Sequence, residues 1–147
     1  MSEGGFSVAA YAVITNDAGE VLLTRREDGD EWVLPGGSVE EAESPWDAVV
    51  REVREETSLD VDLARLVGVY AKKRERDLVF VFDTAAVRGE PRPADERDRV
   101  EYFDATALPD GTSEQDRERI ADAVARAAAP VLATQPSQGE EPPPGTR

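Results

Sequence analysis

One stretch, residues 32–59, constrains the fold more than any other part of this 147-residue chain. It begins as an extended segment that ends in the turn Pro35–Gly37, where glycine permits positive φ angles and close approach of the backbone to a ligand. A helix start follows, with Ser44 as N-cap, Pro45 at the first helical position and Asp47 completing the capping pattern. The stretch therefore predicts a strand, a glycine turn and a helix in succession.

The helix predicted from residue 45 onward has an apolar face beside an acidic one. The apolar positions follow the i, i+3, i+4 spacing of a buried face and are Trp46, Val49, Val50, Val53 and Thr57. Glu52, Glu55 and Glu56 crowd three carboxylates together, which costs roughly 0.2–0.5 kcal/mol per pair even in water. Arg51 and Arg54 neutralise two of them at best, whereas a hard cation such as Mg²⁺ or Mn²⁺ binds several carboxylates at once. The pattern indicates either a metal site or an acidic solvent-exposed face.

The fixed residues of this stretch follow a defined spacing. Five residues separate Gly37 from Glu43, and seven more separate Glu43 from the segment 51–59. This spacing resembles the signature of the Nudix hydrolases, G-x5-E-x7-R-E-U-x-E-E-x-G-U, in which U is a bulky aliphatic residue. Every fixed position matches except Ser58, which stands where the family has glycine. That glycine closes the helix in a left-handed conformation, so the serine is expected to cost about 1 kcal/mol in strain and to leave the carboxylates unaffected.

The resemblance implies a fold and an activity. The fold is α/β, a Nudix-type α/β/α sandwich with a mixed β-sheet between helices, over residues 1–133 with the first few flexible. The activity is metal-dependent cleavage of the diphosphate linkage of a nucleoside diphosphate joined to another moiety, as in a nucleoside triphosphate, ADP-ribose or a nucleotide sugar. The alternative from another class is a nucleotide-binding sensor without turnover. Residues 134–147, rich in Pro, Gly and Glu, cannot build a core and are expected to be disordered.

The resemblance also implies roles for individual residues. Catalysis falls to Arg51, Glu52, Glu55 and Glu56. Metal binding, by Mg²⁺ or by Mn²⁺ in its place, falls to Gly37 through a backbone carbonyl and to Glu52, Glu55, Glu56 and Glu96. Arg51 is expected to orient a catalytic carboxylate through an ion pair, while Glu55 is either a ligand or the base. Glu43 is a loop partner or an outer metal contact, and Glu101 is the reserve for Glu96.

Other residues are candidates for substrate contacts. Arg25 and Arg26 end a predicted strand, where they are either surface charge or bind substrate phosphates with bidentate geometry. Tyr70 and Phe80 can line a base pocket, because nucleobases stack on aromatic faces, although core packing is favoured for Phe80. Trp32 is expected to pack beneath the glycine turn.

Composition excludes several kinds of chemistry and partner. The chain has no cysteine or histidine, so disulfides, thiolate metal sites and His-dependent nucleophiles are unavailable. A formal net charge of −15 without a basic stripe argues against stable nucleic-acid binding. The same field repels a phosphorylated small-molecule substrate, so metal ions and arginines must reverse its sign locally.

Without a signal-peptide pattern or a membrane-length apolar run, a cytoplasmic location is expected. A homodimer is compatible with the resemblance.

The remaining elements flank the central stretch. Strands are expected at 6–15 and 21–26, joined as a hairpin, and further strands at 61–72, 78–82 and 100–103. The charged segment 72–77 is expected to be a hairpin tip, solvated or in contact with phosphate. The apolar run 78–82 must be covered on both faces, which predicts helices on both sides of the sheet. Ser113 should cap a second helix whose apolar stripe comprises Ile120, Ala123, Val124, Ala127 and Val131.

Overall fold

The computed structural model describes residues 5–136. Predictions for residues 1–4 and 137–147 lie outside the described residues. In chain order the structure contains β1 (Ser7–Val13), β2 (Glu20–Arg25), β3 (Gly36–Ser38), α1 (Pro45–Thr57), β4 (Asp60–Lys72), β5 (Asp77–Arg88), β6 (Arg99–Asp104), α2 (Glu114–Ala125) and β7 (Val131–Thr134). None of the helices in this part of the chain has the length and apolarity needed to cross a membrane.

Two β-sheets carry the fold. The larger has the strand order β3-β1-β5-β4-β7 and is mixed, since β1 runs parallel to β5 and β7 parallel to β4, whereas the other neighbours are antiparallel. The smaller consists of β2 and β6 paired antiparallel. The charged segment 72–77 is the tip of the β4–β5 hairpin, as predicted.

A core lies on each face of the larger sheet. Val49 and Val53 of α1 pack in one core with Phe82 of β5, and Ile120 of α2 packs in the other with Val81. Because successive residues of a strand point to opposite faces, β5 is covered on both sides. This arrangement confirms the predicted α/β fold with a mixed sheet between helices.

Helix α1 begins and ends where local signals place it. The Oγ of Ser44 accepts a hydrogen bond from the backbone N–H of Asp47 at 3.0 Å, and Pro45 is the first helical residue. Ser58 closes the helix in the left-handed conformation with φ 66°, and its N–H donates to the carbonyl of Arg54. Trp46 corrects the predicted buried face, because 57% of it is exposed. It lies in the first turn of α1.

The predicted hairpin of the first two strands forms only next to its turn. An antiparallel bridge joins Thr15 to Val21, and the backbone N–H of Leu22 donates to the carbonyl of Ile14 at 2.9 Å. Beyond it β1 enters the larger sheet between β3 and β5, while β2 pairs with β6. The turn signal was correct locally, but long-range pairing separates the strands.

The predicted glycine turn is also different in the structure. Gly36 and Gly37 belong to β3, which pairs with β1. Gly36 has a φ of 150°, and a Cβ there would lie 2.6 Å from the Cα of Tyr11. Glycine is therefore needed because the two strands approach closely. The glycines that predict a turn in the sequence are required by sheet packing instead.

Two predictions near the C-terminal end need correction. Helix α2 stops at Ala125, so Ala127 and Val131 are not part of its stripe, and Val124 is 56% exposed. The chain instead forms β7 beside β4. Thr134 belongs to this strand and Gln135 is buried, so order extends past the boundary predicted at residue 134.

Candidate active site

Arg51 is the centre of a hydrogen-bond network that ties α1 to the preceding loop. Its Nε donates to Oε2 of Glu43 at 2.6 Å and its Nη2 donates to Oε1 at 3.0 Å. Its Nη1 donates to Glu52 and Glu55, both at 3.1 Å. A further bond from Nη2 reaches the carbonyl oxygen of Ser38 at 3.4 Å. The planar guanidinium suits this fork, and the contact with Glu43 holds the pKa of that carboxyl below its usual value.

Glu56 is partly buried, as is Glu52, whereas Glu55 is exposed. The Oε1 of Glu56 accepts a hydrogen bond from the N–H of Gly36 at 3.1 Å. Burial raises the pKa of Glu56 to about 8, and a hydrogen bond with Glu52 and the charges of Glu52 and Glu55 act in the same direction. The N–H of Gly36 opposes them. The ionised form of Glu56 is therefore disfavoured in the metal-free protein, and a bound cation would favour it.

The three glutamates have the donor chemistry of a site for a hard divalent cation. Carboxylate oxygens are the ligands that Mg²⁺ and Mn²⁺ prefer, and a cation would remove the repulsion that raises the pKa of Glu56. As arranged here, however, no three acidic side chains within residues 5–136 form a group that could hold an ion. Arg51 engages Glu52 and Glu55, while Glu56 contacts Gly36. The residues fit a metal once the carboxylates exchange these contacts for the cation.

Gly37 lies directly beside Glu52. A Cβ atom at this position would come within 2.9 Å of the Glu52 carboxylate, so glycine leaves the space that this side chain occupies. The predicted role of the Gly37 carbonyl as a metal ligand remains a prediction.

A cleft of about 550 Å³ adjoins the acidic turn of α1. Glu55 and Glu56 line it, as do Arg25 and Arg26, which were predicted to contact phosphates. The other lining residues are Tyr11, Thr24, Glu31, Val33, Leu34, Gly36, Lys72, Ala94, Asp98, Arg99, Val100, Ser113, Gln115, Asp116 and Arg119. The cleft thus brings cations from both sheets to the same space as two of the predicted metal ligands.

A buried polar cluster from α2 forms part of this cleft and was missed in the sequence. Arg119 donates to Asp116 at 3.1 Å and makes two bonds, at 3.1 and 2.9 Å, to Oε1 of Gln135. The Arg119 guanidinium also lies 5.8 Å from the ring centre of Tyr11. Burial raises the pKa of Asp116 in spite of Arg119. The i, i+3 spacing of Asp116 and Arg119 was the available signal, but it did not indicate burial.

Tyr70 is a correction to the predicted substrate contacts. It is fully buried, its hydroxyl donates to Oδ2 of Asp122 at 2.7 Å, and it does not line the cleft. Its position on β4 directs the ring into the core beneath α2. Trp32 is buried as predicted, with its ring centre 4.8 Å from that of Phe103. Phe80 is partly buried against the core on the α1 side.

The acidic loop residues do not join the glutamates of α1. Glu96 is exposed and does not line the cleft, and neither does its reserve Glu101, which pairs with Arg99 at 3.5 Å. Asp98 is the acid of this loop that reaches the cleft, and its Oδ1 accepts a hydrogen bond from the N–H of Glu27 at 2.9 Å.

A mixed sheet between two helices, with an acidic helix turn at a cleft lined by four arginines, defines an α/β protein with a charged cleft beside its first helix. Residues 5–126 match the family model described as NUDIX domain. The chain belongs to this family.

Individual relatives agree with this assignment. A MutT-like protein of Streptomyces ambofaciens is 35% identical over 109 residues, which are 74% of this chain and 68% of that protein. An ADP-ribose pyrophosphatase of Methanocaldococcus jannaschii is 35% identical over 112 residues, covering 70% of this chain and 64% of that one. The crystal structure of a MutT NUDIX hydrolase from Burkholderia pseudomallei is 28% identical, with a TM-score of 0.70 over 79% of this chain and 96% of that chain. The chain spans 52 to 68% of the length of three curated relatives that it matches.

Proposed function

We propose that this protein hydrolyses the diphosphate linkage of a nucleoside diphosphate joined to another group, in a reaction that requires Mg²⁺ or Mn²⁺. The observation that carries the proposal is the position of Glu55 and Glu56 in a cleft that also contains Arg25, Arg26 and Lys72. Acidic residues that gather cations, beside guanidinium groups that bind phosphate oxygens, are the two requirements of a diphosphate site.

The proposed division of labour follows from the contacts of each residue. Glu52 and Glu56 would hold the metal, and Glu55 would act as a further ligand or as the base toward water. When bound, the cation supplies charge neutralisation at phosphate oxygens and a more acidic water. Two hydrogen bonds to Glu43 restrict the movement of the Arg51 guanidinium. Arg51 therefore keeps Glu52 and Glu55 in position through its Nη1. Arg25 and Arg26 would bind the phosphates with paired N–H donors.

The names of the relatives suggest which substrates of this class to propose. ADP-ribose is proposed because of the Methanocaldococcus pyrophosphatase, and nucleoside triphosphates because of a Bacillus subtilis relative named as an 8-oxo-dGTP diphosphatase. Nucleotide sugars share the same linkage. We extend the proposal to a cytoplasmic location, where nucleotides and Mg²⁺ are both available.

A panel assay tests this function. The protein is incubated with nucleoside triphosphates, ADP-ribose and a nucleotide sugar, each with Mg²⁺, Mn²⁺ or EDTA, and products are separated by ion exchange. Running the reaction in ¹⁸O-labelled water identifies the phosphorus atom that water attacks. We expect a nucleoside monophosphate or phosphorylated fragment, formed only with metal. Saturable nucleotide binding without turnover of any compound would instead favour the sensor alternative.

A further inference from the structure

Two arginines face each other across the small sheet. The register of β2 and β6 places Arg25 directly opposite Arg99, and both residues line the cleft. Like charges at directly opposed positions on neighbouring strands are destabilising. We therefore expect an anionic group to lie between or above the two guanidinium groups.

The contacts of these two side chains do not neutralise both of their charges. The Nε of Arg25 is buried and has no hydrogen-bond partner within the described residues, and a buried donor without an acceptor is unfavourable. The Arg25 guanidinium lies 5.5 Å from the ring centre of Trp32, which holds it in place without accepting its hydrogen bonds. Arg99 makes an exposed and long ion pair, 3.5 Å, with Glu101. An anion in the cleft would offset the repulsion between the two guanidinium groups, which both line it.

The charges around this pair differ from those around α1. The glutamates come from α1, which packs against the larger sheet, whereas Arg25 and Arg99 belong to the smaller one. Arg26 adds a further cation beside them, and of the nearby lining acids Asp98 already accepts a hydrogen bond from Glu27. Arg25 and Arg99 thus line the same cleft as Glu55 and Glu56 but come from a different sheet.

We propose that Arg25 and Arg99 form a subsite for a compact anionic group of the substrate, next to the diphosphate held at the α1 glutamates, which narrows the phosphate-binding role of Arg25 to this group. The inference rests on the proposed function and narrows it: the group joined to the nucleoside diphosphate itself carries negative charge, as a terminal phosphate does, whereas a neutral sugar does not. Two guanidinium forks suit such a group, since each presents paired donors to phosphate oxygens.

Kinetics of one variant and a matched control test the subsite. Arg99→Gln is expected to raise the KM for a nucleoside triphosphate roughly 10- to 100-fold with little change in kcat, and to leave a nucleotide sugar with a neutral hexose unaffected. The control is Arg97→Gln, which removes the same charge two positions earlier, just before β6. Arg97 pairs with Asp95 and Glu27 outside the cleft. Unchanged kinetics of Arg99→Gln, or an equal loss on both substrates, would overturn the subsite.

A binding measurement separates this inference from the proposed activity. Inorganic pyrophosphate is titrated calorimetrically into the metal-free protein in EDTA at low ionic strength. We expect binding that weakens roughly 10-fold or more in Arg99→Gln and not in Arg97→Gln. This result would stand even if no compound in the panel were hydrolysed. Equal heats for the protein and Arg99→Gln, or no binding by either, would refute the subsite while leaving the proposed hydrolysis intact.

Discussion

The guanidinium of Arg51 donates hydrogen bonds to both carboxylate oxygens of Glu43, at 2.6 and 3.0 Å, although the two residues are eight positions apart in the chain. This contact fastens the loop before α1 to the middle of the helix. It leaves Nη1 to engage Glu52 and Glu55. The spacing between Glu43 and Arg51 therefore has a physical meaning: it brings the acid of the loop over the second turn of the helix, where the arginine can bridge it to the carboxylates.

Replacing Arg51 by lysine tests the orienting role. Lysine is a point donor and cannot contact Glu43 and the two helix carboxylates together, so Mg²⁺ affinity or turnover should fall roughly 10- to 100-fold. The free energy of unfolding should drop by only about 1 kcal/mol or less, because the network is partly exposed. Arg54→Lys is the control, since Arg54 is exposed and pairs with Asp60. Full metal affinity and turnover in Arg51→Lys would contradict the role.

Glu56→Gln tests the proposed metal site itself. The amide keeps the size of the side chain but cannot bind a divalent cation as a carboxylate does, so Mg²⁺-dependent turnover should fall roughly 100-fold or more. The fold should persist, as measured by circular dichroism, because the neutral amide matches the protonated acid. Glu41→Gln, at an exposed position of the loop, should behave like the unchanged protein. Undiminished turnover in Glu56→Gln would defeat the assignment.

The stability of the metal-free protein should depend on pH through Glu56. Burial raises the pKa of Glu56 from 4.5 to about 8. Between these values the folded state keeps a proton that the unfolded chain has released, so raising the pH favours unfolding. Thermal unfolding in EDTA should therefore show a Tm that falls from about pH 5 to about pH 8. Glu56→Gln should reduce this fall, leaving the contribution from Asp116, whose pKa is also raised. An identical pH profile in the variant would contradict the raised pKa.

Ser58→Gly should stabilise the protein. Ser58 adopts the left-handed conformation with φ 66°, which glycine reaches without the strain of a side chain, worth about 1 kcal/mol. Part of this gain is offset because the Oγ of Ser58 donates to the carbonyl of Arg92 at 3.3 Å. Urea unfolding measures the difference, and turnover should not change. A destabilised variant would show that the contact with Arg92 outweighs the backbone strain.

Tyr70→Phe distinguishes a core tyrosine from a substrate contact. Loss of the 2.7 Å hydrogen bond to Asp122 should lower the free energy of unfolding by about 1–3 kcal/mol, with no change in KM. Tyr102→Phe serves as a comparison, because Tyr102 is only partly buried and a smaller loss is expected. A raised KM in Tyr70→Phe would restore the substrate role that its burial contradicts.

Local signals were sufficient for α1. The cap of Ser44, the start at Pro45 and the left-handed Ser58 depend on hydrogen bonds within a few residues, so the sequence states them directly. The clustering of Glu52, Glu55 and Glu56 follows equally from helix geometry. The uninterrupted apolar run 78–82 in β5 was sufficient to predict a covered strand with helices on both sides.

Tertiary structure decided the features that depend on residues far apart in the chain. The pairing of β2 with β6 rather than β1 sets Arg25 opposite Arg99, and no local pattern encodes a register between strands more than seventy residues apart. The burial of Tyr70 and of the Asp116–Arg119 pair likewise depends on how α2 packs over the sheet. The sequence determined which helix carries the acidic residues, because helical spacing is a property of neighbours. Only folding determined which cations share their cleft, because strand pairing and packing are long-range interactions whose free energy depends on the whole arrangement.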